Sequence, residues 1–363
     1  MNWAWTMERN AAYRSRVRGC LLGGAIGDAL GFPIEFSSID QIRNVHGMLG
    51  VTGLVPGAHG VVGRISDDTQ MTLFTAEALI EADARQREKE NPPGGWPVLV
   101  RQAYERWLRT QSEPGPDPTA PSASGPVDGL ITEAWLYARR APGNACLSGV
   151  AQMYTPDPWL KLDGSPGRVN PDSKGCGAVM RSAPFGLVAE HDVAFTQAAR
   201  AAQITHGHPT GYYAAGALAA IIANLVAGDS MKGAVLQAMW LLARHPGHEE
   251  TTAALERAVE EAAAGRGNDP ERVEKLGAGW VAEEALSIAV FCALHPRLDT
   301  NGKLLMSVNH SGDSDSTGAI CGNLLGAAHG DHALPHTWVQ QVEGRARIAM
   351  LADDLGATRI RAY

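Results

Sequence analysis

The chain has 363 residues, of which 45% are hydrophobic and 19% are charged. This composition is globular and excludes a mostly disordered chain. The 31 lysines and arginines against 39 aspartates and glutamates give a net charge of −8. That balance argues against an extended nucleic-acid-binding surface, which needs clustered positive charge. The five cysteines are odd in number and form no C-x-x-C pair. We therefore expect neither a disulfide scaffold nor a thiolate zinc site. We expect the protein to be cytoplasmic.

Two segments bear on membrane attachment. The N-terminal residues lack the apolar core of a signal peptide. The uncharged stretch 211–228 is as long as a membrane span, but it consists largely of alanine, glycine and tyrosine and contains an asparagine. We expect it to be the buried central helix of a soluble protein with no membrane partner.

Hydrophobic residues recur at helical spacing along most of the chain, and strand signals are nearly absent. The pattern predicts helices over residues 73–84, 98–109, 130–139, 193–203, 212–227, 232–243, 251–264, 282–294, 317–329 and 339–351. Residues 85–97 and 111–126 are rich in charge or proline and are expected to be loops. No linker divides the chain, so we expect one compact all-α domain.

Two short polar strings each place two aspartates immediately before a predicted helix. The first is Ser66-Asp67-Asp68-Thr69 and the second is Asp313-Ser314-Asp315-Ser316. Such residues can cap helix N-termini, but each string holds more capping groups than one helix end can use. Adjacent carboxylates repel each other unless a cation neutralises them. Oxygen ligands suit magnesium, manganese or calcium, so the strings indicate a shared metal site, with helix capping as the alternative.

A glycine-rich apolar segment, 18–31, predicts a helix that packs closely against its neighbours. Glu35 follows it, between Ile34 and Phe36. An unpaired carboxylate is costly to bury in such surroundings. Glu35 is therefore expected to have a cation or a hydrogen-bond partner.

Five sequence blocks follow one another along the chain. They are R-G-C-L-L-G-G-A-I-G-D-A-L-G-F-P-I-E-F, I-S-D-D-T-Q-M-T-L, G-C-G-A-V-M-R-S-A-P-F-G, T-H-G-H-P and N-H-S-G-D-S-D-S-T-G-A-I. In this order they resemble the blocks of the ADP-ribosylglycohydrolase family. The resemblance spans residues 16–351. It implies a compact orthogonal helix bundle of the ADP-ribosylglycohydrolase type with a dinuclear metal cleft. We accordingly expect an N-terminal extension at 1–15, the family domain at 16–355 and a C-terminal tail at 356–363.

The resemblance also implies a set of ligands for two Mg²⁺ or Mn²⁺ ions. Ser66, Asp67 and Asp68 would hold one ion, and Asp313 and Ser316 the other. Asp315 would bridge the two, and Glu35 would be a conformation-dependent ligand. Ser316 stands where the family usually has threonine. Serine keeps the hydroxyl oxygen but lacks the methyl group that restricts the rotamer of threonine. Asp68 and Glu35 are both candidates for the general base.

The block 175–181 corresponds to the family's phosphate-binding loop. Its glycines would let backbone amides approach a diphosphate. The candidate substrate-binding residues are Gly175, Cys176, Gly177, Ala178, Met180, His206 and Asp128. Cys176 stands where asparagine is common, and a capping or core role is the alternative for His206. Arg140 and Arg181 are predicted to be phosphate ligands or surface charges, with the surface role preferred for Arg140. Most of the nine tryptophans are predicted to be core residues.

The implied reaction is hydrolysis of the C1″ glycosidic bond of ADP-ribose through an oxocarbenium-like transition state. The expected substrate is ADP-ribosyl-arginine on a protein, and the enzyme is expected to be a monomer. Serine-linked or nucleic-acid-linked ADP-ribose is an alternative substrate. A non-catalytic ADP-ribose-binding or structural relative of the family is a second alternative, and a two-metal phosphoesterase is a third.

Overall fold

The computed structural model describes residues 7–57, 60–88, 95–117, 129–265 and 270–361. Within these ranges the chain is all-α, and its only β-pairings are two isolated bridges. The helices are α1 Met7–Gly31, α2 Ile39–His46, α3 Asp67–Arg87, α4 Trp96–Thr110, α5 Asn144–Val150, α6 Ala183–Val188, α7 His191–Ala202, α8 Pro209–Ala227, α9 Met231–Leu242, α10 Glu249–Ala263, α11 Pro270–Val273, α12 Ala282–Leu294, α13 Thr300–Val308, α14 Ser314–His329, α15 His336–Gln341 and α16 Arg345–Arg361. The predicted all-α bundle is confirmed.

The predicted helix over 130–139 is wrong. The segment forms two short 3₁₀ turns, Leu130–Thr132 and Ala134–Leu136, separated by an extended residue. Side chains of α3 satisfy its backbone in place of helical hydrogen bonds. Glu77 accepts from the amide of Leu130 at 2.6 Å, and the Gln70 amide donates to the carbonyls of Leu136 and Ala138 at 3.1 Å.

The predicted helix over 339–351 is instead two helices. α15 ends at Gln341 and α16 begins at Arg345. Gly344 between them has a φ of 68°, a left-handed conformation that interrupts a right-handed helix. The predicted loop at 85–97 is shorter at both ends, because α3 continues to Arg87 and α4 begins at Trp96. Residues 89–94 of this loop and residues 118–126 of the predicted loop at 111–126 lie outside the described residues.

The helix α8 is the buried centre of the molecule, as its sequence predicts. Two helical segments, Asn10–Ile34 and Pro209–Ala227, are long and apolar enough to cross a membrane. In the folded chain 83% and 94% of their apolar windows are buried, as is usual for core helices of a globular protein. The side chain of His208 caps α8 by accepting from the amide of Thr210.

Helices α1 and α14 pack backbone against backbone through small residues spaced four apart. The contacting pairs are Gly19 with Gly326, Gly23 with Gly322, Gly27 with Gly318, and Gly31 with Ser314. Residues four apart lie on one face of a helix, so each helix presents a continuous smooth face to the other. The C-terminal end of α1 is thereby held against the N-terminal end of α14.

Candidate active site

The N-terminus of α3 carries the first polar string. Ser66 is the N-cap residue, and its hydroxyl accepts from the amide of Asp68 at 3.2 Å. Asp67 and Asp68 are buried on the first turn. Oδ1 of Asp68 has no hydrogen-bond partner. Capping therefore accounts for Ser66 but leaves Asp68 unexplained.

The N-terminus of α14 carries the second string and faces the first across the end of α1. Asp313 is the N-cap residue and accepts from the amide of Ser316 at 3.2 Å. Carboxylate oxygens of Glu35, Asp313 and Asp315 lie within 4.8 Å of one another. Oε2 of Glu35 has no hydrogen-bond partner. The fold thus brings carboxylates from two segments together, the turn after α1 and the start of α14.

Electrostatics in this cluster favour a bound cation. Burial raises the pKa of Asp68 and Asp313 well above the usual range, and the charge of Asp315 raises both further. The pKa of Glu35 rises for the same two reasons. Buried carboxylates that repel one another and keep unpaired oxygens are the expected donor set of a hard divalent cation. The chemistry of the residues present therefore fits Mg²⁺ or Mn²⁺.

Asp28 belongs to the same region and was missed by sequence reasoning. It lies on α1, is fully buried, and accepts from the backbone amides of Ser66 and Thr69. Burial and the charge of Asp315 raise the pKa of Asp28 to about 7. The available signal was a single acidic residue inside the glycine-rich apolar segment, seven positions before Glu35.

A cavity of about 470 Å³ opens on the carboxylates. The predicted site residues that line it are Glu35, Asp67, Asp68, Gly175, Cys176, Gly177, Met180, His206, Asp313, Asp315 and Ser316. Two other predicted site residues, Ser66 and Ala178, do not line the cavity and are fully buried. Asp128 lies outside the described residues. The structure therefore gathers most of the predicted metal and substrate positions around one cavity.

The glycine loop is tied to the segment before α12. Gly175 pairs with Val281 in an antiparallel bridge, and the amide of Cys176 donates to the carbonyl of Trp280 at 3.2 Å. The Cys176 thiol donates to Oδ2 of Asp313, with 2.8 Å between sulfur and oxygen. Cys176 thus uses both its amide and its thiol on protein acceptors, and its thiol contacts the carboxylate cluster.

His206 and Arg181 lie next to each other below the loop. His206 lines the cavity, and burial together with the Arg181 charge lowers the pKa of the imidazole to about 3, so the ring is neutral. Arg181 is fully buried, donates to the Thr205 hydroxyl at 2.6 Å and lies over the Tyr104 ring at 4.3 Å. The prediction of a surface charge is therefore wrong for Arg181. It is also wrong for Arg140, which is buried and paired with Glu343.

Two aromatic residues form the mouth of the cavity. Phe36 and Trp280 stack with ring centroids 5.1 Å apart and have exposed fractions of 66% and 39%. Phe36 has a φ of 67°, which is uncommon for a residue other than glycine and is often found at functional sites. The expectation that most tryptophans are core residues agrees with four of the seven described ones. Trp107 and Trp338 are buried, and Trp96 and Trp135 are partly buried and pack against the core.

The family model for ADP-ribosylglycohydrolase matches residues 9–362. The chain belongs to this family of glycohydrolases, as its sequence blocks predict.

The chain is 24% identical to the ADP-ribosyl-[dinitrogen reductase] glycohydrolase of Rhodospirillum rubrum, over 90% of each chain. It is also 24% identical to the ADP-ribosylarginine hydrolase Tri1 of Pseudomonas putida, over 94% of this chain and 77% of that one. A solved structure described as an ADP-ribosylglycohydrolase-related protein complex has the same fold. It superposes with a TM-score of 0.62 at 23% identity and covers 96% of this chain and 99% of that chain.

Proposed function

We propose that this protein is a metal-dependent hydrolase that releases ADP-ribose from ADP-ribosyl-arginine on a modified protein. One observation carries the proposal: buried carboxylates with unpaired oxygens line one wall of a cavity whose other wall is the glycine loop. A cation held by the carboxylates and a diphosphate held at the loop would place the distal ribose of ADP-ribose between them. The activities named for the Rhodospirillum and Pseudomonas relatives, an ADP-ribosyl glycohydrolase and an ADP-ribosylarginine hydrolase, support this reaction.

The residues that would hold two divalent ions are those of the two strings together with Glu35. Asp67 and Asp68 lie on the first turn of α3 and Ser66 is its N-cap residue, whereas Asp315 and Ser316 lie on the first turn of α14 and Asp313 is its N-cap residue. When bound, such ions supply positive charge beside the ribose hydroxyls and make a coordinated water more acidic. The hydroxyl of Ser316 supplies the oxygen for which the family usually uses threonine.

A carboxylate must accept the proton of the attacking water. Glu35 and Asp68 are the candidates, because each lines the cavity and each keeps one oxygen without a hydrogen-bond partner. Asp68 is nearly fully buried and its Oδ2 accepts from the Ser66 hydroxyl, whereas Glu35 is partly exposed to the cavity. The neutral His206 can donate a hydrogen bond to the ligand or accept one from it, but it carries no charge with which to bind phosphate.

Arginine linkage suits the mouth of the cavity. The guanidinium is planar and stacks well on aromatic faces, and Phe36 and Trp280 present such a surface next to Glu35. Serine offers no comparable leaving group for this surface. The same rings also suit a purine base, so the aromatic pair supports ADP-ribose binding in general as well.

The experiment offers arginine-linked, serine-linked and nucleic-acid-linked ADP-ribose to metal-stripped protein refilled with Mg²⁺ or Mn²⁺. We expect intact ADP-ribose to be released fastest from the arginine linkage, and Asp315→Ala to release none. Release of AMP instead would indicate a phosphoesterase. Tight ADP-ribose binding with no release from any linkage would indicate a non-catalytic relative. Activity restored by zinc alone would contradict the all-oxygen ligand set.

A further inference from the structure

Asp28 is a buried carboxylate that the proposed reaction does not use. It lies on α1 one residue after Gly27, and it faces the first turn of α3. Oδ1 and Oδ2 accept from the Ser66 amide at 2.9 and 3.0 Å. Oδ2 also accepts from the Thr69 amide at 3.1 Å and from the Thr69 hydroxyl. One side chain of α1 therefore binds the turn that carries Asp67 and Asp68.

Stability alone does not explain a charged residue at this position. A carboxylate is expensive to bury, and it is compensated here by three donors and by the positive end of the α3 dipole. The helix already has a neutral cap, because Ser66 accepts from the amide of Asp68. What Asp28 adds is an orientation, since acceptors from a different helix fix the rotation of the first turn of α3 relative to α1.

Hydrogen-bond saturation separates Asp28 from the carboxylates that face the cavity. Both Asp28 oxygens accept from protein donors, and Asp28 does not line the cavity. Asp68 and Glu35, by contrast, each keep an oxygen with no partner. Asp28 has the bonding pattern of a group that holds a ligand segment in place, whereas Asp68 and Glu35 have the pattern of the ligands themselves.

The position of Asp28 is itself fixed relative to the second ligand segment. Gly27 packs on Gly318, and a Cβ atom on Gly31 would lie 2.4 Å from the amide nitrogen of Asp315. α1 and α14 therefore act as one rigid unit at this end of the bundle. Asp28 is the polar connection from that unit to α3, which carries the other half of the proposed ligands.

We propose that Asp28 is a positioning residue for the metal site: it holds the turn 66–69 so that Asp67 and Asp68 face Asp315. The proposal rests on the proposed function, because it assumes that these carboxylates bind a divalent cation. It assigns to Asp28 a contribution to metal affinity made through Ser66 and Thr69 and not through direct ligation.

The test measures Mn²⁺ binding to the metal-stripped full-length protein by isothermal titration calorimetry. Asp28→Asn keeps the shape but replaces one acceptor oxygen with an NH₂ group that faces donors. We expect its Mn²⁺ affinity to fall about 10- to 100-fold, the usual cost of losing a group that orients a metal ligand. Thr69→Val is nearly isosteric and deletes the hydroxyl, so its affinity should fall several-fold. Thr69→Ser keeps the hydroxyl and should bind Mn²⁺ as the wild type does.

Glu77→Gln is the matched control. Glu77 is a buried carboxylate on the same helix, but it pairs with Arg106 at 2.8 Å and with the Leu130 amide, away from the cavity. This variant should lower the melting temperature of the metal-free protein and leave the Mn²⁺ affinity unchanged. A purely structural role for Asp28 would produce that same pattern in Asp28→Asn.

The outcomes distinguish the two proposals. A wild-type protein that binds no Mn²⁺ overturns the metal site and with it this inference. A wild type that binds Mn²⁺ while Asp28→Asn binds it equally well overturns the role of Asp28 alone. Where Asp28→Asn does not fold, the threonine pair decides: equal affinity in Thr69→Val and Thr69→Ser contradicts the proposal, and loss in Thr69→Val only supports it.

Discussion

Gly27 of α1 lies so close to Gly318 of α14 that a Cβ atom on Gly27 would be 1.9 Å from the Gly318 carbonyl oxygen. Asp28 follows the first glycine, and Asp315 precedes the second by three residues. The backbone contact therefore sets the separation of residues that belong to the carboxylate cluster. The glycine packing between α1 and α14 therefore also positions the carboxylates at the end of this helix pair.

The first prediction concerns this contact. Gly27→Ala requires the two backbones to separate, and overpacking of this kind costs about 1–3 kcal/mol of unfolding free energy. Urea denaturation should show that loss, and calorimetry should show weaker Mn²⁺ binding. Gly356→Ala on α16 is the control, because its new Cβ would have no neighbour closer than 3.9 Å. That variant should be neutral or more stable by about 0.5–1 kcal/mol. Equal stability of the two variants would contradict the close-contact explanation.

Asp315→Ala should abolish hydrolysis while the protein stays folded. Asp315 is the proposed bridge between the two ions, so its loss should reduce turnover more than Asp67→Ala does. The same substitution removes a charge that raises the pKa of Glu35, Asp67, Asp68 and Asp313. The metal-free variant should therefore melt at the same temperature as the wild type or a higher one. Turnover close to wild type after metal stripping and controlled refilling would contradict the two-ion assignment.

Stability of the metal-free protein should fall as the pH rises from 6.5 to 8.5. Burial and mutual repulsion raise the pKa of Glu35 to about 11 and the pKa of Asp68 and Asp313 well above the usual range. Asp28, whose pKa is raised to about 7, loses its contribution at the lower end of this pH range. A group whose folded pKa exceeds its unfolded pKa stabilises the fold below the unfolded value and loses that contribution as the pH passes the folded value. His206 contributes nothing to this window, since its lowered pKa matters only as the pH falls from 6.5 to about 3.

Saturating Mn²⁺ should remove this pH dependence, because the ions bind the deprotonated carboxylates. Thermal melts across the pH range, with and without Mn²⁺, are the measurement. A metal-free melting temperature that stays level or rises toward pH 8.5 would show that ionisation of the buried carboxylates does not destabilise the fold.

Gly177→Val should weaken ADP-ribose binding and leave Mn²⁺ binding intact. A Cβ atom at this position would lie 2.5 Å from the Cys146 sulfur and 3.2 Å from His206 Cε1, so the side chain would displace the floor of the cavity. Gly175→Ala is the control, because its Cβ would meet His206 at an ordinary 3.5 Å. Calorimetry with ADP-ribose and metal analysis of both variants provide the readout. If Gly177→Val bound ADP-ribose as tightly as the wild type does, the glycine loop would not be part of the binding site.

The sequence by itself determined the helical class, the family and the segments that form the cavity wall. Helical spacing of apolar residues is a local property, and so is the placement of Asp67, Asp68, Asp313 and Asp315 before two helices. Adjacent carboxylates indicated a cation because their repulsion does not depend on the rest of the fold. The sequence blocks shared with the family indicated the glycine loop and His206, and eleven of the predicted site residues line the cavity.

Tertiary structure alone decided which carboxylate oxygens accept hydrogen bonds from the protein and which have no donor. The sequence does not show that Asp28 accepts from the turn at 66–69 while Asp68 keeps an unpaired oxygen, because the partners come from helices distant in the chain. The same long-range contacts bury Arg140 and Arg181 and replace the predicted helix at 130–139 with two turns held by α3. Hydrophobic periodicity predicts the secondary structure of a segment. It does not predict which segments contact each other in the fold, and the chemistry of this site depends on those contacts.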